Sequence, residues 1–318
     1  MTSHYPDDPT MHPDPSATAA DPAMAPLAPT AGQSPQALVN LQETLYQSRQ
    51  PTRRYLHVTR RDWILNEIQR LAVELHDGDL PTLKGGAKAV PVSVRAAAQI
   101  QPQRPSTALE VGPGSGIYLP TLLKHFDSVM ASDVEHSYLN HVRRKYVDEP
   151  RLQLHVDDIC ETQMPQSSFD LILCSEVLEH IPPARTEAAL TSIAKLLRPG
   201  GFLILSTPQP CSPLELSCKL ALKRPLIWLA RAIYREPVLP TGHINLLPPA
   251  RLRRVLEESG LVIQRRHASG LYLPLLAELL PGPGLRLAKR LEKLMVHGPA
   301  RPLLWTQYYV ATRSRSDQ

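Results

Sequence analysis

"ALEVGPGSGIYLP", residues 108–120, sets an apolar run ending in an acidic residue against three glycines in five positions. The run reads as a short buried strand, the glycines as a tight loop, and the following "YLPTLLKHF" as a helix. Glycine is needed where a backbone turns sharply and approaches a ligand closely. A strand–loop–helix unit of this kind supplies the ligand loop of an open α/β sheet, beyond the carboxyl ends of the strands. The dinucleotide fingerprint is G-x-G-x-x-G/A. Gly112 and Gly114 fit it, but its third position is Ile117, which disfavours a nicotinamide dehydrogenase. The spacing present is G-x-G-x-G, at Gly112, Gly114 and Gly116, with Glu110 two residues ahead.

Downstream, the alternation continues. "SVMASD" is a second strand before the helical "SYLNHVRRKYV", and "LQLHVDD" is a third. "FDLILCSEVLEHI" opens as a fourth, entirely buried strand. "TEAALTSIAKLL" is a helix, "RPGG" a turn and "FLILSTP" a fifth strand. "PPARLRRVLEESG" is a helix closed by glycine, "LVIQRRHAS" a sixth strand, and "WTQYYVATR" a seventh. Strands alternating with helices predict a parallel sheet covered on both faces.

Upstream, residues 1–36 hold eight prolines, four aspartates, no lysine and no arginine. Such a segment buries too little apolar surface to offset its chain entropy, so a disordered tail is expected. Residues 37–105 form a helical extension and connector. Two helices broken near Pro51 are expected, the second carrying Trp63, Ile64, Ile68, Leu71 and Leu75 at helical spacing, with a short helix at 92–100. The chain carries 20 % charged and 5 % aromatic residues with net charge +5. No basic–aromatic cluster stands out, so no nucleic-acid partner is expected. Cys160, Cys174, Cys211 and Cys218 form no CxxC pair and read as reduced thiols. No signal peptide and no membrane-spanning segment are expected, which points to a cytoplasmic protein.

The arrangement hxExGxGxG, carried by Glu110, Gly112, Gly114 and Gly116, resembles motif I of class I S-adenosylmethionine (SAM)-dependent methyltransferases. "FDLILCSEVLEHI", 169–181, resembles the family's fourth-strand motif. "LLRPGGFLILSTP", 196–208, resembles its helix, turn and fifth strand. Order and spacing agree over about 106–313. The resemblance implies an α/β fold with a Rossmann-like seven-stranded, mostly parallel sheet, helices on both faces and an antiparallel last strand. It places the SAM-dependent methyltransferase domain at 106–318. SAM has no pyrophosphate, and the site needs a carboxylate for its ribose hydroxyls. Asp133, ending the second strand, stands where the family places that residue, although it also suits a helix N-cap. Asp158 aligns with the residue aimed at the adenine amino group. Its neighbour Asp157 reads as a solvated loop acid. Glu110 would organise the loop, and Ser175 and Glu176 stand at the cleft mouth.

Methyl transfer is largely a matter of alignment, and a hydroxyl acceptor also benefits from a base. Glu176, Glu179 and His180 are spaced i, i+3 and i+4, which a helical turn would put on one side. Similar E-x-x-E-H sequences occur in ubiquinone-pathway O-methyltransferases, where they are linked to divalent-metal dependence. His180 is a candidate base or a structural histidine. "TGHINLLPPARL" resembles the GHxxxxxPxxL segment of relatives acting on lipids, quinones and glycans, so His243 and Asn245 would face the acceptor. A histidine that merely caps or packs is the competing reading.

Two inserts, 209–247 and 281–304, exceed the minimal fold and would form a helical lid. In "LELSCKLALKRPLIWLARAIYREP", Arg224, Arg231 and Arg235 share one arc, with Trp228 near its boundary. Arg286, Lys289, Arg290 and Lys293 repeat the theme. Such helices suit an anionic membrane surface, or cap the cleft with a solvated basic face. The expected acceptor is a hydroxyl on a lipid-like small molecule such as a quinone precursor. The protein would then sit in the cytoplasm, peripherally on the inner membrane face. A glycan or secondary-metabolite acceptor, or a non-catalytic SAM-binding module, is the alternative.

Overall fold

In the computed structural model the described residues are 45–77, 104–221 and 242–313. The expected tail at 1–36, the connector and its helix at 92–100, and the stretch bearing Arg224, Trp228, Arg231 and Arg235 lie outside them.

Helix α1 (Pro51–Asp77) comes first. The core then alternates as β1 (Thr107–Val111), α2 (Leu119–His125), β2 (Ser128–Asp133), α3 (His136–Lys145), β3 (Leu152–Val156) and β4 (Phe169–Ser175). It continues with α4 (Thr186–Leu196), β5 (Leu197–Pro208), α5 (Pro213–Ala221), α6 (Pro249–Glu258) and β6 (Leu261–Ser269). The last elements are α7 (Leu276–Leu279), α8 (Pro281–Met295) and β7 (Thr306–Arg313). The sheet order is β3-β2-β1-β4-β5-β7-β6. Strands β1 to β5 pair in parallel, and β7 runs antiparallel to both β5 and β6. The chain builds outward from β1 to β3 and then returns to β4 on the other side of β1. Strand order therefore reverses between β1 and β4, which is where such sheets bind ligands.

Strand β4 explains the layering. Side chains alternate across a strand, yet every residue from Phe169 to Cys174 is buried, so both faces are covered. Leu171 and Leu173 join a core with Ile64, Ile68 and Leu71 of α1 and Leu119 and Leu122 of α2. Ile172 and Cys174 face Leu190 and Ile193 of α4 and Leu252 and Leu256 of α6. The N-terminal helix thus forms part of the layer on one side of the sheet.

One local expectation changes, and one is only partly visible. The first of the two helices expected around Pro51 lies mostly outside the described residues, and Pro51 itself opens α1 after a turn at 46–50. Proline lacks the N–H that a first helical turn leaves unused, and Gln50 caps the start by accepting the Arg53 N–H at 2.6 Å. "RPGG" is not a turn before β5 but part of it. Leu197 already pairs with Phe169, and the register then shifts before Leu171. Gly201 is required there because a Cβ would stand about 3.0 Å from the carbonyl oxygens of Arg198 and Asp170. Among the described residues, no helix is long and apolar enough to cross a membrane.

Candidate active site

The glycine loop leaves β1 at the switch point. Gly112, Gly114 and Gly116 have φ of 67°, 50° and 69°, a region that side chains disfavour. A Cβ on Gly112 would also stand 2.6 Å from Val177 Cγ2. Helix α3 clamps the loop from outside: Tyr146 donates its hydroxyl to the Gly116 carbonyl at 3.0 Å, and Lys145 Nζ donates to that of Ser115 at 3.0 Å.

Four acids surround this loop and the neighbouring strand ends. Glu110 is 2 % exposed, its Oε2 has no hydrogen-bond partner, and burial raises its pKa to about 8. Asp133 accepts the Glu135 N–H at 2.9 Å, while helix α3 has Glu135 at its N-cap. Burial raises the Asp133 pKa to about 6 against that bond. Asp158 accepts the Cys160 N–H and pairs with Arg185 at 2.9 Å. Burial opposes its charge, but these donors hold its pKa below the usual range. Asp157, the adjacent acid, instead has a buried Oδ2 without a partner. At the far end of β4, by contrast, buried Asp170 is held by Arg104, Arg198 and the Thr107 N–H. The orphaned acceptors are therefore at the ligand end. A pyrophosphate would meet repulsion from these acids, whereas a ligand offering hydroxyl, amine and cationic groups would satisfy them. Glu110 and Asp157 fit SAM on that ground.

The acceptor side is built by the end of β4 and by the segment returning from the first insert. Glu176 does not continue into a helical turn. Its φ is 57°, and a single 3-10 turn begins at Leu178. The left-handed backbone at Glu176 ends the strand before the turn begins, so Glu176, Glu179 and His180 do not share the one helical turn expected of them. Arg60 Nη1 of α1 meets Glu176 Oε2 at 2.6 Å, and Ser206 donates to its Oε1 at 3.1 Å. Ser175 and Ser206 lie 3.0 Å apart through their hydroxyls. Tyr118 is buried beside Ser175, Arg60 and Glu176.

Glu179 is fully buried, accepts from Thr207 at 2.9 Å through Oε2, and leaves Oε1 unpartnered. Burial, then the nearby Glu176, raises its pKa well above the carboxylate range. His180 Nδ1 donates to the Gly242 carbonyl at 3.2 Å. Desolvation, then His243, lowers its pKa to about 4. His243 stands with its ring centroid 5.4 Å from that of His180. Its Nδ1 meets Glu215 Oε2 of α5 at 3.1 Å, and Trp305 donates to Glu215 Oε1 at 3.0 Å. Asn245 does not face an acceptor. It is buried and donates to Leu178 O and Thr186 Oγ1, clamping the turn beneath the site.

The sequence profile of the methyltransferase domain matches residues 89–265, more than half of the chain. The chain belongs to this methyltransferase-domain family. It is 26 % identical over 210 residues to a ubiquinone biosynthesis O-methyltransferase of Methylococcus capsulatus, covering 62 % of this chain and 81 % of that protein. An uncharacterized methyltransferase of Mycobacterium bovis is 31 % identical over 99 residues. That match covers 31 % of this chain and 49 %, about half, of the relative's length. A solved structure from Galdieria sulphuraria, assigned as a sarcosine dimethylglycine methyltransferase, superposes with a TM-score of 0.50 at 14 % identity. It covers 83 % of this chain and 88 % of that one, a likeness of fold.

Three residues of this site carried no sequence signal: Arg60, Thr207 and Glu215. Arg60 pairs with Glu176 across 116 positions, and Glu215 with His243 across 28. Burial opposes the Arg60 charge, yet Glu176 beside it raises the guanidinium pKa above its ordinary value.

Proposed function

We propose that the protein transfers the methyl group of SAM to a hydroxyl of a lipid-like small molecule, with His243 as the base. The observation that carries this reading is the His243–Glu215 pair at 3.1 Å. Bound SAM would supply the methyl carbon and, as its leaving group, a sulfur able to keep the electron pair of the carbon–sulfur bond. The chain must hold the acceptor in line and remove one proton. Glu215 accepts from Nδ1–H, which leaves Nε2 unprotonated and aimed by a buried carboxylate. The hydroxyl proton passes to His243 Nε2. His180 suits this task less, because a pKa of about 4 lies far from neutral operating pH. Glu176, tied to Arg60, is the anchor of the strand end rather than the proton acceptor.

Asp133 and Asp157 or Asp158 would hold the ribose and adenine ends of SAM, and Glu110 with the glycine loop its amino-acid end. A second reading rests on Glu179, His180 and His243, which offer one ligand atom each within 4.8 Å of one another. The orphaned Glu179 Oε1 suits a divalent cation there, which would lower the pKa of a bound acceptor hydroxyl.

The lipid-like acceptor is supported by the ubiquinone-pathway relative and by α7–α8, where Leu279 and Leu294 are 70 % and 76 % exposed. Arg286, Arg290 and Lys293 share α8 with Leu294. This is the composition of a helix that rests on an anionic membrane face.

The test is labelled SAM with separately fractionated lipid, polar-metabolite and protein extracts. Label is expected in the lipid fraction. Label in the polar fraction alone contradicts the lipid reading. His243→Ala is expected to lower kcat by about 10²–10⁴-fold. Near-normal turnover removes His243 as the base, and turnover unaffected by chelator removes the cation.

A further inference from the structure

Strands β6 and β7, on the side covered by α6, line with the turn at Arg301 a partly open cavity of about 150 Å³. It is far larger than the ~10–15 Å³ that one water requires. Arg253 of α6, Arg266 of β6 and Arg301 line it, with Gln209, Gln307 and Tyr309. The neighbouring Arg254 and Arg265 are both paired with carboxylates, Glu258 at 2.8 Å and Glu67 at 2.7 Å. Arg253, Arg266 and Arg301 have no carboxylate and no hydrogen-bond acceptor among the described residues.

The three cations reach one place. Burial raises the Tyr309 phenol pKa, and Arg266, Arg301 and Arg253 each pull it back, so all three act on the same oxygen. Burial and then Arg266 lower the pKa of Arg301, which is the mark of like charges confined together. The cavity wall is fixed. Gln209 Nε2 donates to the Leu304 carbonyl at 2.6 Å, and Gln307 Nε2 donates to that of Leu247 at 2.8 Å. Those amides are used, so the unspent donors are the guanidinium groups. The cavity contains no acid, which excludes a metal ion as its natural occupant.

We propose that Arg253, Arg266 and Arg301 form a binding site for a phosphoryl group, separate from the glycine loop and from the His243 cluster. Planar guanidinium forks match tetrahedral oxyanions through paired hydrogen bonds. Against three cations a dianion leaves one charge uncompensated, where a single carboxylate would leave two. The phosphoryl group belongs to a free phosphate or soluble monoester, or to a monoester lipid headgroup; the chemistry recognised is the same.

The experiment measures thermal unfolding of the full chain against inorganic phosphate up to about 10 mM, at constant ionic strength with chloride as control. Phosphate is expected to raise Tm in a saturable way that chloride does not reproduce. Arg266→Ala and Arg301→Ala are each expected to weaken phosphate by at least about tenfold. Arg254→Ala, on the same helix but outside the cavity, should keep the wild-type response. Arg301→Gln, close in size to arginine, covers the case in which the alanine variant fails to fold. Sedimentation with phosphatidylcholine vesicles containing phosphatidic acid separates the sources. Vesicle binding lost in the same variants places the group on a lipid, and a phosphate response without vesicle binding places it on a soluble molecule. Phosphate no better than chloride, or variants with undiminished phosphate affinity, overturns the proposal.

Discussion

Glu110 shows how a binding site costs the free protein stability. A buried carboxyl with no partner keeps its proton, and its pKa stands at about 8 against an ordinary 4.5. The folded state therefore binds this proton more tightly than the unfolded chain. Its contribution is full below pH 4.5 and is lost as pH rises toward 8. Calorimetric unfolding at pH 5, 6.5 and 8 is expected to show a steeper decline for the wild type than for Glu110→Gln. Parallel profiles would contradict this account of Glu110. Glu110, the three glycines and Asp133 were legible because their chemistry lies within a short stretch or at a strand end. The pairs Arg60–Glu176 and Glu215–His243 were not, because folding creates them between distant segments. Asp157 was read as solvated, yet the close of β3 buries its Oδ2.

Helix α1 shows what periodicity conveys and where it stops. Ile64, Ile68 and Leu71 recur at helical spacing, and all three are fully buried against the sheet. Truncating Leu71 removes contacts with a well-packed core. Leu71→Ala is therefore expected to lower unfolding free energy by about 2–5 kcal/mol in denaturant titration. A loss under about 1 kcal/mol would mean that α1 is dispensable to the sheet. Spacing identified the buried stripe but not what it would cover. The same helix delivers Arg60 to Glu176, so an apparent extension becomes part of the site. The misread "RPGG" has a similar cause: glycine signals a turn locally, while its need in β5 comes from carbonyls of another strand.

Across the molecule, the parallel part of the sheet was legible because strand and helix patterns alternate so regularly, whereas the antiparallel last strand was implied by the family resemblance and its place beside β5 comes from the structure. The loops and helices that choose the acceptor were not, since their contacts are set by tertiary packing. The basic residues of α8 are worth about 1 kcal/mol each near an anionic surface. Flotation with phosphatidylglycerol vesicles is expected for the intact protein, and is expected to fall for Arg286→Glu combined with Arg290→Glu and Lys293→Glu. No flotation of the intact protein would end the membrane reading. The central claim is that the acid-ringed glycine loop binds SAM, and titration calorimetry with S-adenosylhomocysteine tests it most directly. One-to-one binding is expected, weakened about 10- to 100-fold in Asp133→Asn by loss of charge-assisted hydrogen bonds worth ~1.5–3 kcal/mol. No heat of binding in the wild type, or an unchanged Kd in the variant, would contradict it.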